Sequence, residues 1–348
     1  MRMSPREKGI GYALLAALSF GASVPLLKRL GVDAAPVTLA GLLYGGAAVA
    51  LFLVQLLYAS KEASIPRADA PTLAGVAIAG AVAGPILLLF GLRQASGVAA
   101  SLLLNLEPAL TVALAVTFFR EQASGKAAAG IGLLIAAGAM LGLRGLEGGT
   151  NVAGFLLLAG ACLCWAMDNN LTQRLSLRDP IAVARWKAAL GATCTLLLGR
   201  VLGEPWPAER IVVSAAAVGA VSYGLSVALA VRSLREIGAA RYAALFSAAP
   251  FSGALLSTVL LDEHLHSLDL AAAAVMVAGL WLVAKDRHEH LHGHETVEHE
   301  HLHVHDEHHQ HVHAEPVEEP HSHRHRHGPM THAHPHTPDS HHHHKHGD

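Results

Sequence analysis

Up to residue 284 the chain is a succession of apolar blocks, each about 18–25 residues long, rich in Ala, Leu, Gly and Val and poor in charge. A helix needs ~20 such residues to cross a ~30 Å hydrocarbon core, where no water is available to satisfy the backbone. Blocks are read at roughly 9–29, 35–59, 72–91, 97–119, 126–143, 151–173, 180–201, 210–231, 239–261 and 268–284. A soluble enzyme is excluded. The first block follows Arg2, Arg6 and Lys8, as a signal peptide's apolar region would, and Ser19-Phe20-Gly21 offers a weak cleavage site. It is read as a span because it has a counterpart later in the chain.

That counterpart belongs to a duplication. A shift of 142 residues lays Leu92-Arg93 on Leu234-Arg235, Pro108 on Pro250 and Glu121 on Glu263. A shift of 145 lays Phe20-Gly21 on Trp165-Ala166 and Arg29-Leu30 on Arg174-Leu175. Five spans per copy is an odd number, so the second copy enters the membrane inverted. Inverted repeats are typical of secondary transporters, with the site between the halves near the midplane. The expected fold is an all-α polytopic membrane protein with ten transmembrane helices as two inverted five-helix repeats, residues 1–145 and 146–285. With the N-terminus inside, thirteen Lys/Arg fall in inner segments and six in outer ones. That bias predicts both termini in the cytoplasm, and a bacterial inner membrane is the expected location.

Leu106-Glu107-Pro108 in the fourth block, Phe119-Arg120-Glu121 at its end and the doubled five-span unit resemble the EamA-type drug/metabolite transporter superfamily. The second copy departs from the motif. Ala249-Pro250 stands where Glu107-Pro108 stood, while Leu261-Asp262-Glu263 keeps the terminal acid. The resemblance covers residues 9–285 and implies a ten-helix exporter or exchanger of small polar solutes.

Ionisable groups within a bilayer are costly and default to functional candidates. Glu107 lies about ten residues from one end of its block, or ~15–18 Å deep at ~1.5 Å per residue. Pro108 removes a backbone donor beside it and frees a carbonyl one turn earlier. A carboxylate there either binds a cationic group or takes up a proton during transport; a helix–helix hydrogen bond is the alternative. Ser101 and Asn105 add polar groups one turn apart. In the sixth block Asp168-Asn169-Asn170 form a second cluster, and Lys187 sits at matched depth on the next, antiparallel block. An Asp168–Lys187 ion pair is expected, with Arg185 as the competing partner, either as a structural tie or as a gate at the cytoplasmic mouth. Trp165 could stack on a substrate or simply pack, and Arg241 reads as an interfacial anchor. Gly130, Gly138 and Gly142 read as a packing face. Cys162, Cys164 and Cys194 lie in apolar blocks and read as small buried hydrophobes.

The C-terminal tail is a different material. Of 26 histidines, 24 lie in residues 288–348. His288, His290, His292 and His294 open an alternating pattern that recurs at His299, His301, His303 and His305 and at His321, His323, His325 and His327. With acids, prolines and few apolar residues the segment 286–348 cannot bury a core and is expected to be disordered. Clustered neutral imidazoles are ligands for Zn, Ni, Co or Cu, so a divalent transition metal on the tail is expected, though no cofactor is required. Residues 1–287 carry 22 Lys/Arg against 16 Asp/Glu, and the tail 3 against 11. Falling pH would therefore reverse the tail's charge and release metal.

The function expected is secondary active transport, export of a small polar solute or of divalent metal with a regulatory tail. The alternatives are an organic metabolite, amino-acid or drug exporter whose tail only buffers metal, and a non-transporting membrane-anchored metal sensor. Membrane lipid and the solute are the expected partners, with proton coupling and a homodimer left open, and no nucleic acid. No histidine precedes His264, so there is no Ser–His pair within the membrane part and a hydrolase is discarded.

Overall fold

The structure, a computed structural model, describes residues 5–57, 64–118, 125–143, 151–175, 178–284, 288–294, 297–303, 321–327 and 330–336. The first half contains α1 (Pro5–Gly21), α2 (Ser23–Leu30), α3 (Pro36–Leu57), α4 (Ala70–Ala77), α5 (Gly84–Leu92), α6 (Gly97–Leu103), α7 (Leu106–Phe118) and α8 (Gly125–Leu143). The second contains α9 (Val152–Gln173), α10 (Pro180–Val201), α11 (Glu209–Val218), α12 (Ser226–Ile237), α13 (Ala239–Phe246), α14 (Ala249–Leu260) and α15 (Ser267–Ala284). Among the described residues eight helices or joined helices are long and apolar enough to cross a membrane: Arg6–Leu30, Pro36–Leu57, Arg67–Leu92, Gly97–Thr117, Val152–Gln173, Pro180–Val201, Glu209–Leu234 and Arg241–Leu260. Two shorter apolar stretches, Ala128–Leu141 and Ser267–Val283, occupy α8 and α15. Phe119-Arg120-Glu121 of the fourth-block motif lies outside the described residues.

Local chemistry sets the starts and the breaks. Asn151 caps α9 by accepting from Gly154 N, and Asp179 caps α10 through Ile181 N and Ala182 N, with Pro180 at the first turn. Three of the long helices are interrupted, at Ala22, at Leu104-Asn105 and at Ser247-Ala248. Pro25, Pro108 and Pro250 lack the N–H that would reach Gly21, Leu104 and Phe246, so each interruption faces a proline one turn on. At the second, Glu107 N bonds the freed Leu104 carbonyl at 3.1 Å. Two wider π-helical turns, Ile78–Ala83 between α4 and α5 and Gly219–Leu225 between α11 and α12, occupy corresponding places in the two halves.

The halves pack through reciprocal pairs. α3 lies on α10, α6 on α14 and α8 on α15, while α1 meets α12 as α5 meets α9. Small residues allow the approach: a side chain at Gly130 would lie 2.7 Å from Gly279 O and one at Gly41 2.6 Å from Leu196, while within the first half one at Gly138 would lie 2.7 Å from Leu106. The core runs along this contact, with Leu27, Leu39, Leu103, Leu134, Leu158 and Met276 all buried.

Beyond α15 the described stretches of the tail form two antiparallel strand pairs, β1 (His288–His294) with β4 (Met330–His336) and β2 (Val297–His303) with β3 (His321–His327). The register sets His288 opposite His336, His290 opposite His334 and His301 opposite His323. Composition alone offers no reason to expect pairing there, but the His-x-His alternation has the two-residue period of a strand. His305 lies outside the described residues.

Candidate functional site

A cavity of about 200 Å³ lies where the halves meet. Phe20 of α1, Tyr44 of α3, Trp165 of α9, Tyr223 of the second π turn and Tyr242 and Phe246 of α13 supply its aromatic wall. The rings touch in series: Phe20 stands edge-on to Tyr223 at 5.7 Å, and Tyr44 tilts against Tyr223 at 5.6 Å. Tyr242 stacks on Phe246 at 5.3 Å. Glu107, Asp168, Asn169 and Lys187 supply the charge and polarity.

The polar groups form two linked sets. Asn169 Nδ2 donates to Glu107 Oε1 at 2.9 Å and to Thr111 Oγ1 at 3.3 Å, which joins α9 to α7 just past the proline break. Asn170 Nδ2 donates to Thr111 O at 3.1 Å and to Ala166 O at 2.8 Å. Lys187 Nζ bonds Asp168 Oδ2, joining α10 to α9, and Thr172 Oγ1 donates to Asp168 Oδ1 at 3.2 Å. Asp168 is 3% exposed, so its charge is held by partners rather than by water.

The floor under the ion pair is the first π turn. Gly80 O accepts from Tyr44 OH at 2.7 Å and from Trp165 Nε1 at 3.1 Å. A side chain at Gly80 would overlap Asp168 Oδ2 and lie 2.7 Å from Lys187 Nζ, and one at Gly84 would lie 2.7 Å from Trp165 Nε1. The two missing side chains therefore make the seat on which three site residues rest.

Of the residues singled out in the sequence, Glu107, Trp165, Asp168, Asn169 and Lys187 come together at the cavity. Asn105 does not. Its Nδ2 donates to Leu102 O at 3.0 Å and points to Met276 Sδ at 3.6 Å, on α15. Arg185 is not Asp168's partner; its guanidinium lies 5.2 Å from the rings of both Phe52 and Trp186. Cys162 is buried with its thiol directed to Leu103 O at 3.6 Å, while Cys164 is partly buried and Cys194 exposed, and none lines the cavity. Sequence reasoning missed Gly80, Gly84 and five of the six aromatic residues. A tyrosine near the middle of each of two apolar spans, Tyr44 and Tyr223, was the available signal.

The EamA-like transporter family model matches the chain twice, over residues 7–143 and 152–285. An uncharacterized transporter of Methanothermobacter thermautotrophicus is 30% identical over 289 residues, covering 78% of this chain and 84% of its own length. A solved crystal structure superposes with a TM-score of 0.58 at 19% identity, over 78% of this chain and 95% of the other. At that identity the likeness concerns the fold alone.

Proposed function

The chain belongs to the EamA-like transporter family, and we propose that it is a secondary active transporter that carries a small organic solute with a cationic group through the cavity between its halves. One observation carries the reading: Glu107 with Asn169, and Asp168 with Lys187, converge on a single aromatic-walled cavity. Two carboxylates against one ammonium leave the cavity short of one positive charge. The faces of Tyr, Trp and Phe favour a cation as well, and an apolar substituent packs on the same rings. Glu107 is the group we assign to the substrate's cation or to an exchanged proton, and Asp168–Lys187 to the wall that closes around it.

The fold proposed is the ten-helix arrangement of two inverted repeats. The reciprocal pairing of α3 with α10, α6 with α14 and α8 with α15 supports a twofold relation between the halves. The family suggests that the protein is not an enzyme.

A second reading, a divalent metal or its chelate as cargo, is favoured by the His-rich tail, with His288, His290, His292 and His294 and their repeats as ligands. The membrane part gives it little support: among the described residues no group of three His, Cys, Asp or Glu is placed to hold a metal ion. Flux into reconstituted vesicles separates the two. We expect uptake from a panel of amines and zwitterions, lost in Glu107→Gln. Flux of Ni, Co, Zn or Cu with none of any organic cation would overturn the proposal.

A further inference from the structure

Two helices of the first half begin on carboxylates supplied by the second. The first N–H groups of a helix have no acceptor within it. In α3 the first residue is Pro36, which has no N–H; Val37 N and Thr38 N donate to Glu204 at 3.2 and 2.7 Å, and Thr38 Oγ1 adds a bond of 2.8 Å. In α6 Ser96 Oγ takes the Ala99 N–H at 3.1 Å, while Gly97 N and Val98 N donate to the two oxygens of Glu263, each at 2.8 Å. Glu204 follows α10 and Glu263 follows α14. Each carboxylate thus bridges the halves.

Both bridges lie at the same end of the bundle. Lys28 Nζ donates there to Leu92 O at 3.2 Å and also bonds Ala95 O. Arg93 donates to Gly31 O and Ala34 O at 3.2 and 2.8 Å. Asp262, beside Glu263, has a φ of 54°, left-handed backbone that a non-glycine residue rarely adopts and that surrounding contacts must hold. The cavity sits toward the opposite end, where Ala184 near the start of α10 and Ala230 of α12 line it. Between cavity and bridges the way is filled by Val24, Leu27, Leu39, Leu43 and Leu103, none more than 1% exposed.

We propose that Glu204 and Glu263 are a latch that holds this end of the transporter shut and that breaks and re-forms once per cycle. The inference rests on reading the cavity as a transport site, which must reach each side of the membrane in turn. A solute leaving toward the bridged end has to part the starts of α3 and α6 from the segments after α10 and α14. Charge-assisted bonds at helix N-termini suit that task. They are strong while formed. At the end of the bundle both partners pass to water when they separate, so no buried charge is stranded.

The experiment uses the full chain with Cys162, Cys164 and Cys194 replaced, in vesicles of determined orientation, and an impermeant maleimide applied from either side. Val24→Cys reports the sealed path and Ala230→Cys the cavity on its other side. In the Glu204→Gln, Glu263→Gln double variant, modification of Val24→Cys should rise at least about fivefold and that of Ala230→Cys should fall. Reactivity unchanged at Val24→Cys overturns the latch. So does a rise at both positions, the sign of a bundle that is merely loosened or misfolded. No solute enters the measurement, so a wrong substrate class would show in the flux assay and leave this result untouched.

Discussion

Gly80 and Asp168 occupy each other's space: the carboxylate of Asp168 on α9 lies where any side chain at Gly80 would project. The same carboxylate holds Lys187, so a backbone position in the π turn between α4 and α5 sets the place of an ion pair formed by two other helices. A π turn also leaves backbone carbonyls available, and Gly80 O takes the hydroxyl of Tyr44 and the indole N–H of Trp165.

Gly80→Ala should therefore damage the site out of proportion to its size. Added volume in a filled site costs ~1–3 kcal/mol, and here the group displaced is one end of the ion pair. We expect insertion to persist and transport to fall by at least about tenfold. Gly84→Ala, which meets Trp165 Nε1, should cost less because an indole can tilt. Equal flux in Gly80→Ala and the parent protein would show that the pair's position is unimportant.

Glu107→Gln keeps the size of the side chain and an oxygen to accept from Asn169, and removes the charge. If Glu107 takes the substrate's cation or an exchanged proton, the variant should transport at least about tenfold more slowly. What flux remains should lose its dependence on pH between 5 and 8. Initial rates in vesicles across that range test this, and wild-type rates throughout would assign Glu107 to structure alone.

Eight spans, the doubled family unit and the two charged clusters were legible in the sequence because each leaves a pattern: length, offset, and charge where apolar residues are the rule. The pairing of Asp168 with Lys187 rather than Arg185 follows from the helix itself. Residues two apart point ~200° away from each other, so only one of the two cations can face α9. The same rule bears on Asn105, two residues before Glu107: its side chain reaches Leu102 O and Met276 rather than the cavity that Glu107 lines. Gly80 left no pattern at all, since one glycine among the 33 of a Gly- and Ala-rich chain is marked only by what it lies against. Tyr44 and Tyr223 were not singled out in the sequence. Glu263 was visible as a repeated acid, but its bond to a helix start 165 residues away is a tertiary fact.

Asp168 and Lys187 should be energetically coupled. Removing one partner of a buried pair costs ~3–5 kcal/mol when the other charge stays unpaired. With the Lys187 side chain about one-quarter exposed (23%, against 5% for the Asp168 side chain) we expect the lower part of that range. Asp168→Asn and Lys187→Met should each lower thermal stability in detergent, and the double variant should be less damaged than the two losses summed, by ~1 kcal/mol or more. The exchange Asp168→Lys with Lys187→Asp should recover part of the flux. Strict additivity would mean that the two side chains meet without supporting each other.

The tail can be separated from the transport core by the same logic of location. Among the described residues, every one that lines the cavity lies between Phe20 and Phe246, ahead of the tail. Truncation at residue 287 should therefore leave insertion and organic-solute flux unchanged. Metal binding should respond in the opposite way, because imidazole is the donor type that Zn, Ni, Co and Cu prefer and the membrane part has no histidine before His264. Equilibrium dialysis of the full chain against each metal should give several ions per molecule, and the truncated protein about none. A truncated protein that keeps its metal would move the ligands into the membrane part and revive the metal as cargo. One that loses solute flux along with its metal would make the tail part of the transport cycle.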